Sequence, residues 1–66
     1  MKNQINTTMI ETYMIERQLS IDDFCRQCQI SPSTFRKMMA NNLDFDVLSL
    51  LKIAKAMQIP VHKIFL

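Results

Sequence analysis

The 66-residue chain has no glycine, no tryptophan and only two prolines. Without glycine there can be no P-loop, dinucleotide-binding turn or nucleophile elbow, because each needs a residue without Cβ where the backbone turns sharply or meets a ligand. An EF-hand loop is excluded for the same reason. With two cysteines and one histidine, the chain is short of the four ligands of a structural zinc site. No run approaches 18 apolar residues, and the N-terminal MKNQINTT lacks an apolar signal core, so no membrane segment or leader is read. A cytoplasmic protein with reduced thiols is therefore expected.

Hydrophobic residues make up 48% of the chain, enough for a folded domain rather than a disordered tail. A chain this short buries only about 60% of the surface its unfolded form exposes. One domain over residues 1–66 is expected, with no deep cleft, no cofactor and no catalysis. The net charge is +2, and the pI near 8.7 falls below the value of roughly 9 usual for nucleic-acid-binding domains. Distribution says more than the sum. Residues 1–23 are net acidic, whereas Phe24 to Leu43 holds Arg26, Arg36 and Lys37 and no acid. Val47 to Leu66 likewise has Lys52, Lys55 and Lys63 without an acid.

Helix boundaries are legible from capping chemistry. Thr8 with Glu11 has capping-box spacing, and Met9, Ile10, Tyr13, Met14 and Arg17 follow at helical intervals. Ser20 with Asp23 opens a second helix over Ile21 to Cys28. Ser31 before Pro32 marks a third, running to about Ala40. Asp46 starts a fourth through Met57, and a short fifth begins at Pro60 and ends with the chain. In the fourth, only Ser49, Lys52, Lys55 and Gln58 form a polar stripe, so it is expected to be buried centrally. The fold class expected is all-α, a compact five-helix bundle.

The segment Ile21 to Ala40 has the pattern of a helix-turn-helix. Two short helices are joined by a three-residue turn, with Cys25 as the small residue at their crossing. Phe24, Cys28, Ile30, Phe35 and Met38 supply apolar contacts. Ser33, Thr34, Arg36 and Lys37 then face outward, on the helix that such units lay in the major groove.

Residues 9–65 resemble the lambda-repressor and Cro-like (XRE) family of DNA-binding domains. The resemblance is carried by Ser20-Ile21-Asp22-Asp23-Phe24-Cys25, by Ile30-Ser31-Pro32-Ser33-Thr34-Phe35 and by Leu51-Lys52-Ile53-Ala54-Lys55-Ala56-Met57. The tail Ile59-Pro60-Val61-His62-Lys63-Ile64-Phe65 continues it. The resemblance implies that Pro32, Ser33, Arg36 and Lys37 lie where base edges are reached, and that Ser31 and Thr34 meet phosphates. Asn41 and Asn42 in the following loop are further DNA-contact candidates. It also implies a homodimer on a two-fold operator, for which the apolar Ile64, Phe65 and Leu66 offer a dimer patch.

Departures from the family pattern are informative. The first residue of the second helix, often a glutamine that touches DNA, is Ile21. An arginine–glutamate pair that family members place between the first and third helices is replaced by Met14 and Met39, read here as a packed thioether contact. Family members often leave helices through glycine. The matching positions are Gln18, Gln29, Asn41 and Gln58, and a positive φ is predicted at Gln29.

Cys25-Arg26-Gln27-Cys28 spells C-x-x-C, but mid-helix, away from the N-terminal position that activates a redox thiol. Core packing is the favoured reading, with a redox role left open. His62 has no partner set around it, and the six methionines fall mostly at core spacings. The leading function is a sequence-specific DNA-binding transcriptional regulator with a protein as its candidate effector. The alternative is a protein-interaction module of antitoxin or anti-repressor type that keeps the fold with weak or no DNA binding.

Overall fold

The computed structural model describes residues 4–42 and 44–66. Among them, four helices are followed by a 3-10 turn: α1 (Thr7–Glu16), α2 (Ile21–Cys28), α3 (Pro32–Met39), α4 (Val47–Met57) and the turn Val61–Ile64. The expected fifth helix is thus corrected to a single turn. Pro60 is extended on one side of it and Phe65 on the other, and Phe65 forms an antiparallel bridge with Ile5. Four residues between two extended ends are too few for a ladder of α-helical hydrogen bonds, and 3-10 geometry suits short pieces.

Two of the predicted helix starts form as written. The Ser20 hydroxyl accepts from Asp23 N–H at 3.1 Å, and the Asp23 carboxylate accepts from Ser20 N–H at 3.3 Å. Hydrogen bonding by Ser20 holds the Asp23 carboxyl below the usual carboxylate range, with nearby Arg26 acting the same way. The Ser31 hydroxyl accepts from Thr34 N–H at 3.1 Å, with Pro32 as the first helical residue. The other two starts differ. Asn6, rather than Thr8, caps α1, accepting from Met9 N–H at 3.2 Å. Asp46 occupies the cap position of α4 with extended backbone, but its side chain makes no capping hydrogen bond.

All four helices end alike. Gln18, Gln29, Asn41 and Gln58 have φ between 56° and 59°, and no other described residue is positive. In each case the next residue's N–H reaches back five positions: Leu19 to Met14, Ile30 to Cys25, Asn42 to Lys37 and Ile59 to Ala54, at 2.8–3.0 Å. This is the Schellman closure, which satisfies carbonyls a helix would otherwise leave open. Leu19, Ile30 and Ile59, the residues after three of these exits, pack against the core. An ordinary side chain held in this left-handed region costs roughly 1–2 kcal/mol.

The core is apolar throughout, with no buried polar or charged residue among those described. Phe24 is fully buried and meets Tyr13 and Phe35 edge-on at centroid distances of 5.8 and 5.6 Å. Ile5, Ile10, Met38, Ile53 and Ile64 are the other large, fully buried side chains. The Tyr13 hydroxyl donates to the Ala56 carbonyl at 3.1 Å, tying α1 to α4. Met14 and Met39 line one groove between α1 and α3.

The expectation for α4 is overturned on one side. It buries Leu50, Ile53, Ala54 and Met57, yet leaves Val47, Leu48 and Leu51 at 69, 57 and 48% exposure. The supposed polar stripe is partly turned inward, since Ser49 and Lys52 are half-buried. Three other helices and a turn cannot surround a fourth helix in so short a chain.

Gln29→Gly is expected to stabilise the domain by about 0.5–1 kcal/mol, the left-handed penalty relieved less the added freedom of the unfolded chain. Thermal unfolding checks it, and an unchanged or lower midpoint refutes it. Met39→Glu should cost about 2 kcal/mol by placing a carboxylate on the α1–α3 groove, whereas Met39→Leu stays near neutral in the same melt.

Candidate nucleic-acid interface

The α2–α3 unit is built around a turn, Gln29-Ile30-Ser31, with three independent fasteners. Gln29 supplies the left-handed exit, and Ile30 N–H closes onto the Cys25 carbonyl at 3.0 Å. Ser31 caps the next helix. From across the domain, the Lys52 ammonium donates to the Gln29 carbonyl at 3.2 Å. A lysine that reads as one member of a solvated stripe is in fact a brace between α4 and the turn. No local signal could have found it, because the partners lie 23 positions apart.

With α3 held there, Phe35 and Met38 face the core, and Ser33, Arg36 and Lys37 stand exposed. Pro32 and Thr34 are half-buried at the helix start, and Ser31 is exposed. The Ser31 hydroxyl donates to the Thr34 hydroxyl at 2.9 Å. That arrangement leaves the Thr34 O–H free to donate outward. Ile21 is 41% exposed at the head of α2 and brings only apolar surface. The helix carries no acid, so its outer row is wholly neutral or cationic.

Three expected features change in the fold. The acid-free surroundings of Lys37 do not survive, since the loop returns Asp44 to within 4.0 Å of its ammonium. Such an exposed pair is typically worth about 0–1 kcal/mol, little enough for a phosphate to displace. The second change is at Asn41, whose side-chain oxygen accepts from Ile5 N–H at 2.6 Å and so ties the loop to the start of the chain. Asn42 is exposed and accepts from Asp44 N–H at 3.1 Å.

The third is the dimer patch. Ile64 is fully buried, because the 3-10 turn packs against α4 and carries this side chain into the core. It cannot face a second molecule. Phe65 is half-buried beside Ile5, and of the three only Leu66 is largely exposed, at 78%.

Cys25 and Cys28 are both free and buried. Burial pushes both thiols up, with Asp22 adding to the effect at Cys25, and Cys28 reaches about 12. No cluster of three metal-ligating side chains occurs among the described residues, and His62 is exposed. The thiols serve as small core residues.

Four helices with a braced turn between the second and third, and a polar row on the outer side of the third, define a helix-turn-helix domain. The chain belongs to the Cro/C1-type HTH DNA-binding domain family, whose profile matches residues 9–65. This is a DNA-binding, non-enzymatic family, which makes DNA the partner. No curated protein and no solved structure matches the chain in the same comparisons. No helix among the described residues is long and apolar enough to cross a membrane.

The raised thiols have a measurable consequence. In the unfolded chain Cys28 ionises near 9.0, but in the fold only near 12. Stability held by the neutral thiol is therefore complete below pH 9 and lost as pH climbs toward 12. Alkylation at pH 8 should be at least about a hundredfold slower in the native protein than in denaturant. Fast native labelling would contradict the buried, neutral assignment.

Proposed function

We propose that residues 1–66 act as one domain, a sequence-specific DNA-binding transcriptional regulator working in the cytoplasm as a homodimer on a two-fold operator. In this reading α3 lies in the major groove. The outward row Ser33, Arg36 and Lys37, on a helix whose angle is braced by the Gln29 exit and Lys52, is the observation that carries it. Arg36 and Lys37 suit guanine O6 and N7, Ser33 suits either hydrogen-bonding edge, and Pro32 offers apolar contact to a thymine methyl. Ser31, Thr34 and the Ser33 backbone N–H at the start of α3 suit phosphate, as do the amide N–H groups of Asn41 and Asn42. A good bidentate base contact discriminates by about 1–3 kcal/mol. That exceeds what releasing Lys37 from Asp44 costs.

One observation favours a second reading, a protein-interaction module of antitoxin or anti-repressor type. An apolar groove lined by Ile15, Leu19, Ile21, Phe35 and Met39 runs beside Arg36, so a protein effector seated there would cover part of the DNA-reading row.

Selection of bound DNA from a random pool separates the two. The regulator reading expects an enriched, two-fold-symmetric site and affinity that falls with salt at a log–log slope near −0.9 per neutralised phosphate. Arg36→Ala should relax one position of the site at a cost of about 1–3 kcal/mol. Lys37→Ala should weaken binding to the selected site. A pool that stays random transfers the weight to the protein-interaction reading.

A further inference from the structure

The outer side of α4 is left open by the fold. By helical spacing Val47, Leu51, Lys55, Leu48 and Lys52 fall within an arc of about 140°. All are exposed except Lys52, which is half-buried. The leucines meet the end of α2 in a shallow groove lined by Gln27, Cys28, Leu48, Leu51, Lys52 and Lys55. No acid lines it, and α4 has none from Val47 to Met57. Asp46, at the head of the helix, falls on the other side, with the buried Leu50, Ile53 and Met57.

Both lysines keep donors free. Lys52 gives one ammonium hydrogen to the Gln29 carbonyl at 3.2 Å and has others left. Among the described residues no ion pair engages Lys52 or Lys55. The groove is therefore apolar toward the start of α4 and cationic toward its end, with Leu48 and Lys55 about 10 Å, or about two turns, apart along the axis.

That pattern selects an occupant. A phosphate backbone would pair with the lysines but leave Val47, Leu48 and Leu51 in water. A neutral apolar partner would cover those three but strip water from ammonium groups without a counter-charge, which is costly. A segment with apolar side chains and carboxylates on one face satisfies both ends. Grooves of this kind receive such segments as amphipathic helices.

We propose that the α2–α4 groove is a docking site for an acidic amphipathic helix of another protein. Apolar residues of that helix cover Val47, Leu48 and Leu51, and carboxylates about two turns further on meet Lys52 and Lys55. The site shares no residue with the outward row of α3, so the docked helix leaves Ser33, Arg36 and Lys37 open. It differs in this from the groove beside Arg36, and it does not depend on which of the two functional readings holds.

A library of randomised single-helix peptides, selected against the full chain, tests the site. Enriched peptides should pair apolar residues with Asp or Glu about two turns away, and binding should shift the NMR signals of Leu48, Leu51 and Lys55. Leu51→Glu and Lys55→Glu should each weaken the tightest peptide at least about tenfold, with helical content unchanged by circular dichroism. Replacing by lysine the peptide acid that faces Lys55 should restore binding to Lys55→Glu and weaken binding to the wild type. Peptides that keep their affinity for both variants, or that shift Ile15 and Met39 instead, refute the site. So does a library that yields no binder. Phosphatidylserine vesicles or a random-sequence duplex that shift the same three residues refute the protein partner and give the face to a membrane or to phosphates. Shifts there that grow with the concentration of the chain alone give it to a second copy.

Discussion

Phe24 lies between Tyr13 and Phe35, edge-on to each, with no surface left to solvent. The three rings come from α1, α2 and α3, so one cluster sets the mutual positions of the two helices of the helix-turn-helix and of the helix that supports both. Edge-to-face contacts have preferred angles, unlike general hydrophobic burial. They orient as well as attract. Truncation of a buried phenylalanine typically costs about 3–5 kcal/mol, a large share of the stability a domain of this size can have. The cysteines beside it in α2 are small enough to let α3 approach, and their burial keeps them neutral.

The left-handed exits follow from the same compactness. Short helices meeting at steep angles require the chain to reverse within two or three residues, and a positive φ is the shortest way to do so. Glycine would adopt it freely. Here the three glutamines adopt it under the control of the apolar residues that follow, since burial of Leu19, Ile30 and Ile59 offsets the backbone cost, whereas Asn41 is followed by the exposed Asn42. At Gln29 the Lys52 ammonium adds a further restraint on the freed carbonyl. The angle between α2 and α3 is thus held from both within the turn and across the domain.

Charge is used sparingly on this surface. A net charge of +2 gives little long-range attraction for a polyanion, so in the proposed reading discrimination rests on the few groups of the α3 row. The Lys37–Asp44 pair partly neutralises one cation of that row while remaining weak enough to open. Leucines along α4 are exposed because the domain ran out of elements to cover them.

Local chemistry made much of this molecule readable from its residues alone. Ser20 with Asp23, and Ser31 before Pro32, act within one helical turn, so the two helices of the reading unit start where those residues say. The family resemblance marks Gln18, Gln29, Asn41 and Gln58 as helix ends, where members often place glycine, and all four have positive φ. The outward row Ser33, Arg36 and Lys37 follows from the period of α3 once Phe35 and Met38 are known to point inward. A few departures are local, since Asn6 rather than Thr8 caps α1, Asp46 makes no capping hydrogen bond and the last helix is a 3-10 turn; the others depend on how the whole chain packs. Ile64 turns inward, Asp44 returns to Lys37, Asn41 engages Ile5, Lys52 braces Gln29, and α4 keeps an apolar face in water. Hydrophobic periodicity says that a side chain seeks cover. Whether cover exists depends on how many other elements the fold can bring to that side, and that is decided only when the whole chain has packed.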